Sequence, residues 1–340
     1  MMVRLFFVTS LLLCQFAHAQ GNPSPSAGTL DAAAKKILID SLSVRLSGYV
    51  FPEKIPAIRQ AVAAFQKNKA LMAISSPAAW GDSLNICFMK ASQDKHLKIF
   101  YAPDTTSHGD VIGRLARIHD NGFDKVEIFP GNIGYMRIIG FFPSPRTTES
   151  IRSAFEMVAG TDALIIDLRS NQGGEMQAAL LSVSYFFKDP VDLFDMHFPG
   201  QQKIEQHWSS SYVPGTRYLD KPVYVLTGGG TFSGGEAFAY VLQAQKRATI
   251  IGEPTAGGAN ITEMARLPGG FLFSLPVGSP IEPVTKANWE SVGVKPDRVT
   301  TSEQSLLTAY RAALQSLEST ATDSTDRQDI GRLLQSLPHQ

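Results

Sequence analysis

The stretch at 223–238, VYVLTGGGTFSGGEAF, decides the fold class. It opens with a continuous apolar run, which is typical of a strand covered on both faces of a parallel sheet. Three glycines follow, and glycine lets the backbone adopt conformations that other residues avoid. Ser233 then precedes an apolar helical pattern, so we predict it at a helix N-terminus. A buried strand, a glycine turn and a helix in this order predict an α/β core.

Ser233 has more than one possible role in this position. Free N–H groups and the positive end of the helix would stabilise the oxyanion formed when its hydroxyl attacks a carbonyl. A serine before a helix is also a common N-cap that serves the helix alone. A phosphate-binding role is disfavoured, because the lysine of a phosphate-binding loop is absent.

A second chemical segment, DLRSNQGG, occupies 167–174 and again follows an apolar run. The N–H group of Gly173 or Gly174 could supply a second oxyanion donor. The alternative is a glycine-rich turn in which Asp167 and Arg169 form a structural pair. The segment taken alone leaves both interpretations open.

Apolar patterning divides the 340 residues into regions. Helical spacing predicts a small helical N-terminal domain at 30–95, followed by an α/β core at 96–318. Residues 319–340 are predicted as a loose C-terminal tail with a short helix at 330–337. Within the core we expect strands and helices to alternate; the predicted strands are 125–128, 134–138, 163–168, 223–227, 249–251 and 271–275, and the predicted helices are 148–158, 176–187, 235–246 and 302–317.

The N-terminus predicts export. Arg4 precedes a short apolar run, and Ala17 and Ala19 supply the small residues that signal peptidase prefers. We therefore predict a signal peptide at 1–19, cleaved after Ala19, and a flexible leader at 20–29. The protein is then periplasmic or secreted, with no transmembrane anchor after signal removal. Cys14 raises the question of lipidation, which the residue before it disfavours because a small side chain is expected there.

Charge and cysteine content exclude several classes. Basic and acidic residues balance at 31 each, without a charged block, so we expect no nucleic-acid partner. Removal of the signal peptide leaves Cys87 as the one cysteine, which permits neither an internal disulfide nor a cysteine metal framework. Cys87 is predicted to be an inert core thiol. No metal and no cofactor are implied.

A nucleophilic serine needs a base, and histidine is the usual one. Spacing alone cannot choose among the histidines, because the order of triad residues varies between folds. The candidates after the signal peptide are His96, His108, His119, His197, His207 and His339.

Together these segments resemble the C-terminal-processing, or tail-specific, serine peptidases. That family carries D-x-R-x-N-x-G-G after one strand, and a serine, two small residues and a glutamate after another. Here these motifs are 167–174 and 233–236, and RATIIGEPT at 247–255 is similar to the next strand and turn. The resemblance spans about 131–299. It implies a ClpP/crotonase-like α/β fold and a peptide or protein substrate.

One departure bears on the mechanism. Family members with a Ser–Lys dyad carry the lysine twenty-five residues after the serine, and that position is Gly258 here. No lysine stands between Lys246 and Lys286, so a dyad at the usual place is excluded. The chain is more similar to the branch that includes the tricorn protease core and the interphotoreceptor retinoid-binding protein.

This closer resemblance implies the remaining catalytic groups. DKHL at 94–97 is similar to the branch's histidine segment and places His96 as the base. WESVGVKPD at 289–297 is similar to its glutamate segment and places Glu290 as the carboxylate that orients the imidazole. The N–H groups of Gly234 and of Gly173 or Gly174 would hold the oxyanion.

Some features of the resemblance are incomplete. Lys95 replaces a polar residue that assists the tricorn-type site. Glu290 could instead form a surface pair with Lys286 or Lys295. The family's PDZ domain is expected to be absent, since only about thirty-five residues separate His96 from Ile133, too few for such a domain.

The sequence therefore predicts an exported serine peptidase that cleaves peptides or protein C-termini through a Ser–His–Glu acyl-enzyme mechanism. The alternative is a non-catalytic binding module for an apolar ligand, like the retinoid-binding relatives, with Ser233 as a relic. Convergence of His96 and Glu290 on Ser233 would favour the peptidase. An apolar cavity beside a packed Ser233 would favour the binding module.

Overall fold

A computed structural model of the chain describes residues 28–103, 114, 116–201 and 204–338. The predicted signal peptide with Cys14, and the candidate histidines His108 and His339, lie outside these residues.

The described residues form helices and strands in mixed order. The helices are α1 (Ala32–Arg45), α2 (Ile55–Lys67), α3 (Lys69–Met72), α4 (Pro77–Ser92), α5 (Thr147–Val158), α6 (Met176–Ser184), α7 (Gly234–Ala244), α8 (Ser302–Thr320) and α9 (Ser324–Ser336). The strands are β1 (Lys98–Tyr101), β2 (Phe123–Phe129), β3 (Ile133–Ile138), β4 (Ala163–Asp167), β5 (Asp192–His197), β6 (Glu205–Trp208), β7 (Val223–Thr227), β8 (Thr249–Gly252), β9 (Ile261–Leu267), β10 (Phe271–Ile281) and β11 (Arg298–Val299).

The chain divides into two compact units, and each is built from segments that are distant in sequence. The first unit comprises Met1–His108, Met196–Glu205 and Asn260–Pro280. The second comprises Gly109–Asp195, Gln206–Ala259 and Ile281–Gln340.

The first unit combines the N-terminal helices with an antiparallel arrangement of β1, β10 and β9. The buried apolar sides of α1, α2 and α4 pack with β10. Trp80 on α4 lies between two aromatic rings, with centroid distances of 5.5 Å to Phe65 and 6.2 Å to Phe271. Cys87 packs against this core, and burial raises the pKa of its thiol. The predicted domain at 30–95 did not include β9 and β10, because these strands lie more than 160 residues further along the chain.

The second unit contains a six-stranded sheet in the order β11–β8–β7–β4–β3–β2. β2 pairs antiparallel with β3, and the other neighbours pair in parallel. The two apolar runs of the sequence are the central strands β4 and β7, in which every residue is buried. Burial on both faces explains why these runs are continuous rather than alternating. The predicted α/β class is confirmed.

The C-terminal region covers one face of this sheet and corrects the prediction of a loose tail. α8 continues to Thr320, and Asp323 caps α9 by accepting the N–H groups of Thr325 and Asp326. The helix predicted at 330–337 exists but begins earlier, at this cap. Its apolar side chains pack on the core that α8 shares with the sheet; they are Ile330, Leu333, Leu334 and Leu337.

Candidate active site

The turn after β7 places Ser233 at the first residue before α7. Thr231, which is fully buried, shapes this turn. Its hydroxyl accepts the N–H of Gly228 at 3.1 Å and donates to the carbonyl of Leu168 at 2.7 Å. The turn is therefore tied to the end of the neighbouring strand β4.

The backbone of Ser233 is strained. Its φ is 52° and its ψ is −117°, a combination that residues with a side chain rarely adopt. Helix caps do not need this conformation, since the caps Ser76, Thr301 and Asp323 have φ of −68°, −69° and −83°. Strain of this kind costs about 1–3 kcal/mol and clusters at functional sites. The capping role of Ser233 therefore leaves its conformation unexplained.

The turn after β4 carries the predicted ion pair. Asp167 accepts from the Arg169 guanidinium at 2.9 and 2.6 Å, and from the hydroxyl of Tyr135 at 2.8 Å. Burial works to raise the pKa of Asp167, but these hydrogen bonds and the positive charge of Arg169 together hold it below its ordinary value. Arg169 also donates to the carbonyl of Ser302 at 2.5 Å. The pair therefore stabilises the turn. This agrees with the interpretation of Asp167 and Arg169 as a structural pair.

Asn171 joins the two turns. Its side-chain amide donates to the carbonyl of Ile138 at 3.0 Å and accepts the N–H of Gly173 at 2.8 Å. Its own carbonyl accepts the N–H of Phe232, next to Ser233, at 2.9 Å. Asn171 is completely buried, so these bonds are shielded from water.

Gly173 and Gly174 lie against the serine turn, and both need to be glycine. Gly173 has φ of +84°, and a Cβ there would stand 2.7 Å from the Gly234 nitrogen and 2.7 Å from the Ser233 Cβ. Gly174 has φ of +128°, and a Cβ there would stand 2.0 Å from the Phe141 carbonyl oxygen. The N–H of Gly173 already donates to Asn171. This bond favours Gly174 over Gly173 as the second oxyanion donor beside Gly234, a role that stays a prediction for all three glycines.

Glu236 is a buried carboxylate that accepts four hydrogen bonds. They come from the N–H groups of Ser233, Gly257 and Gly258 and from the hydroxyl of Thr255, at 2.5–2.8 Å. Burial raises the pKa of Glu236, and the four donors oppose that effect. Serine and glutamate three residues apart predict a capping box, which could have revealed the bond to Ser233. The other donors lie near Glu236 only because of the tertiary fold. No role for Glu236 is predicted from the sequence.

Glu290 belongs to the second unit and is half-buried. Its Oε2 accepts the N–H of Ala259 at 2.7 Å. The adjacent Trp289 is buried and donates its indole N–H to the carbonyl of Gly258 at 3.0 Å. The segment that carries Glu290 is thus packed against the residues that Glu236 binds.

His96 belongs to the first unit, in the turn before β1. Its backbone N–H donates to the buried Asp94 at 2.8 Å, and Tyr49 donates to the same carboxylate at 3.0 Å. Burial of the imidazole lowers the pKa of His96 to about 4; the charge of Asp94 opposes this and that of Lys98 adds to it. His96 is therefore neutral at pH 7, in the form that a general base requires.

The structure brings together Ser233, Gly234, Gly173 and Gly174 within the second unit. His96 belongs to the first unit, so its role towards Ser233 stays a prediction, as does the role of Glu290. Two other candidate histidines have partners of their own. His119 lies 3.3 Å from a carboxylate oxygen of Asp124, and the ring of His207 lies 5.2 Å from that of Phe194.

The described residues contain neither a cluster of metal ligands nor a membrane-spanning helix. Within the described ranges no group of three or more histidine, cysteine or acidic side chains is placed to hold a metal ion. No helix in that part of the chain has the length and apolarity needed to cross a membrane.

With the fold and the serine turn described, comparison with known proteins defines the class. Residues 132–300 match the profile of peptidase family S41 and form a peptidase S41 domain. The chain is 29% identical over 173 residues to a carboxyl-terminal-processing protease of Synechocystis, covering 50% of this chain and 38% of that protein. It is 28% identical over 196 residues to the chloroplastic carboxyl-terminal-processing peptidase 2 of Arabidopsis thaliana, covering 57% and 36%. The chain thus spans less than half the length of these relatives. The predicted resemblance to the C-terminal-processing peptidases is confirmed.

Solved structures extend the likeness in fold beyond this domain. A candidate peptidase from Parabacteroides merdae superposes with a TM-score of 0.60 at 17% identity, covering 85% of this chain and 99% of that one. A lipoprotein from Streptococcus agalactiae gives 0.56 at 16% identity, covering 87% and 99%. At these identities the likeness concerns the fold alone.

Proposed function

We propose that this chain is a serine peptidase that cleaves peptides or protein C-termini through an acyl-enzyme on Ser233. One observation carries the proposal: Ser233 has a strained backbone at the N-terminus of α7, directly beside the Gly173–Gly174 turn. A helix cap gains nothing from that strain, whereas a nucleophile held in a turn presents its hydroxyl to a substrate. The S41 domain at 132–300 supports the same chemistry.

The proposed mechanism is acyl transfer followed by hydrolysis. His96 takes the proton of the Ser233 hydroxyl as the oxygen attacks the scissile carbonyl, and Glu290 orients the imidazole and stabilises its charged form. The N–H groups of Gly234 and Gly174 stabilise the tetrahedral oxyanion. His96 then gives the proton to the leaving amine, and water hydrolyses the ester in a second cycle of the same kind.

The substrate and the compartment follow from different observations. The relatives are named as carboxyl-terminal-processing enzymes, which supports protein C-termini as the substrate class. Export to the periplasm or beyond the cell rests on the signal-peptide pattern of 1–19, which the cell would remove after Ala19.

The test is hydrolysis of an activated ester and of peptides by the wild type, Ser233→Ala and Ser76→Ala. Ser76 is a matched control, because it caps α4 from an ordinary extended backbone. We expect Ser233→Ala to lose at least 1,000-fold in kcat and Ser76→Ala to keep its rate, with only a small loss of stability. Equal rates for the wild type and Ser233→Ala would contradict the proposal. A complete lack of turnover in the wild type would favour the binding module.

A further inference from the structure

Glu236 has an unusual set of partners for a fully buried carboxylate. Each oxygen accepts two hydrogen bonds. Oε2 accepts the N–H groups of Ser233 and Gly258, both at 2.8 Å. Oε1 accepts the N–H of Gly257 at 2.6 Å and the hydroxyl of Thr255 at 2.5 Å. Three of the four partners are backbone N–H groups, which can only donate, so the arrangement favours the ionised form.

These bonds offset part of the cost of burying the charge. An isolated carboxylate in a protein interior is strongly destabilising, whereas hydrogen bonds to a charged group are shorter and stronger than neutral ones. Glu236 also lies in the first turn of α7, where the positive end of the helix dipole stabilises a negative charge. Breaking the set would leave both the carboxylate and its donors unsatisfied.

The segment at 255–258 continues this network towards Glu290. The N–H of Thr255 donates to the carbonyl of Val294 at 3.2 Å, and the N–H of Val294 donates back to the Thr255 hydroxyl at 2.6 Å. The N–H of Ser291 donates to the carbonyl of Gly257 at 3.0 Å. Because the indole of Trp289 also donates to the carbonyl of Gly258, the segments 255–258 and 289–294 are bonded to each other on both sides of Glu290.

Close packing makes this junction rigid. Gly257 has φ of +80°, and a Cβ there would stand 2.9 Å from the Gly293 nitrogen and 2.9 Å from the carbonyl carbon of Ser291. The two backbones therefore touch, and a shift of one must displace the other.

We propose that Glu236 is a positioning residue. Its carboxylate holds the strained backbone of Ser233 in a fixed position relative to the segment that carries Glu290. The carboxylate bonds both to the amide of Ser233 and to the segment at 255–258, beside one backbone bond from the N–H of Ala256 to the carbonyl of Thr231. This role rests on the proposed function, because it assigns a catalytic consequence to the geometry of Ser233. Glu236 itself does not touch the substrate.

Glu236→Gln tests this role with almost no change in volume. One carboxylate oxygen becomes an amide group that faces two donors, so two of the four bonds are lost. We expect kcat to fall about 100-fold, the typical effect of a displacement of about 1 Å at a catalytic group, with KM changed less than about threefold. Glu303→Gln, at an exposed position on α8, is the control and should keep its rate. A Glu236→Gln enzyme within twofold of the wild-type kcat would overturn the proposal.

Thr255 offers a milder pair of variants in case Glu236→Gln does not fold. Thr255→Ser keeps the hydroxyl that joins Glu236 to Val294, whereas Thr255→Val removes it at nearly constant shape. We expect about a tenfold loss of kcat in Thr255→Val and almost none in Thr255→Ser. If the two variants turn over alike, the proposal fails.

Hydrogen exchange separates this proposal from the proposed function, because it needs no activity. Amides in peptides covering 228–238 and 253–260 should both exchange faster in Glu236→Gln, or in Thr255→Val if the former does not fold, while peptides from α5 stay unchanged. A wild type without turnover would defeat the proposed function, and exchange would still decide whether Glu236 joins the two segments. Faster exchange in one segment alone, or in neither, would overturn the joint role.

Discussion

The turns after β4 and β7 start from neighbouring parallel strands, in which Asp167 pairs in register with Leu226. In the first turn, the two residues with positive φ are both glycines, Gly173 and Gly174, so this backbone conformation causes little strain. The second has a serine at its strained position. Glycine adopts positive φ readily, but a serine there is destabilising. This difference supports the proposal that the first turn offers backbone N–H groups and the second a hydroxyl.

The two turns also differ in how they are held. Side chains of the first turn form the pairs Asp167–Arg169 and Asn171–Gly173, and Arg169 and Asn171 also donate to the carbonyls of Ser302 and Ile138 outside the turn. The second turn is held by Thr231, which donates to the carbonyl of Leu168, and by Glu236, whose other donors come from the distant segment at 255–258. We therefore expect the second turn to be the more sensitive to changes at 255–258.

Glu290→Gln should have the largest effect among the changes outside the two turns. As the carboxylate of a triad, Glu290 stabilises the imidazolium in the transition state, and its loss can reach about 10,000-fold in kcat. As a partner in an exposed pair it would contribute only about 0–1 kcal/mol, and the variant would be almost silent. The measurement is ester hydrolysis with thermal melting, and Lys295→Gln serves as control. A near-normal rate with an unchanged melting temperature would leave Ser233 and His96 as a possible dyad.

The second-largest effect is expected from replacing a glycine of the first turn. In Gly174→Ala the new methyl group would meet the Phe141 carbonyl oxygen. The resulting shift would displace the N–H that we propose as an oxyanion donor. We expect kcat to fall about 100- to 1,000-fold, the usual loss for one oxyanion donor. Gly229→Ala is the matched control, because a Cβ there has open space around it. Unchanged turnover in a folded Gly174→Ala enzyme would remove the first turn from the mechanism.

The smallest effect concerns the pH dependence of stability. Burial lowers the pKa of His96 to about 4, from an ordinary value near 6.5. The unfolded chain therefore binds more protons than the folded one between these values, and stability falls as the pH decreases from about 6.5 to 4. The slope is at most about 1.4 kcal/mol per pH unit. Chemical denaturation across this window should show a weaker slope for His96→Asn, and equal slopes for the two proteins would contradict the assignment.

Local patterns were enough to predict the centre of the fold. The continuous apolar runs gave β4 and β7 to within one residue, because a strand buried on both faces needs no polar positions. β10 was predicted only as 271–275, although it continues to Ile281. Proline and glycine interrupt the pattern there, where the pairing with β9 shifts register between Pro276 and Gly278.

The site was predictable where its chemistry is local in sequence. The position of Ser233 before a helix was predictable because strand, turn and helix follow one another directly, and its catalytic role stays a prediction. The bonds of Glu236 to Thr255, Gly257 and Gly258 were not predictable, since they depend on the course of the chain after β8. The strain at Ser233 was also invisible in the sequence, because a serine before a helix is usually an unstrained cap.

The central claim is that Ser233 is a nucleophile and not simply a helix cap. The most direct test is labelling at pH 7 with a fluorophosphonate probe, which reacts with activated serines, followed by mass spectrometry of the digested protein. We predict one covalent adduct in the wild type, on the peptide containing 228–238 and at Ser233. Ser76→Ala should carry the same adduct, and Ser233→Ala should carry none. An adduct on another serine, or an unlabelled wild-type protein that is fully folded, would contradict the account.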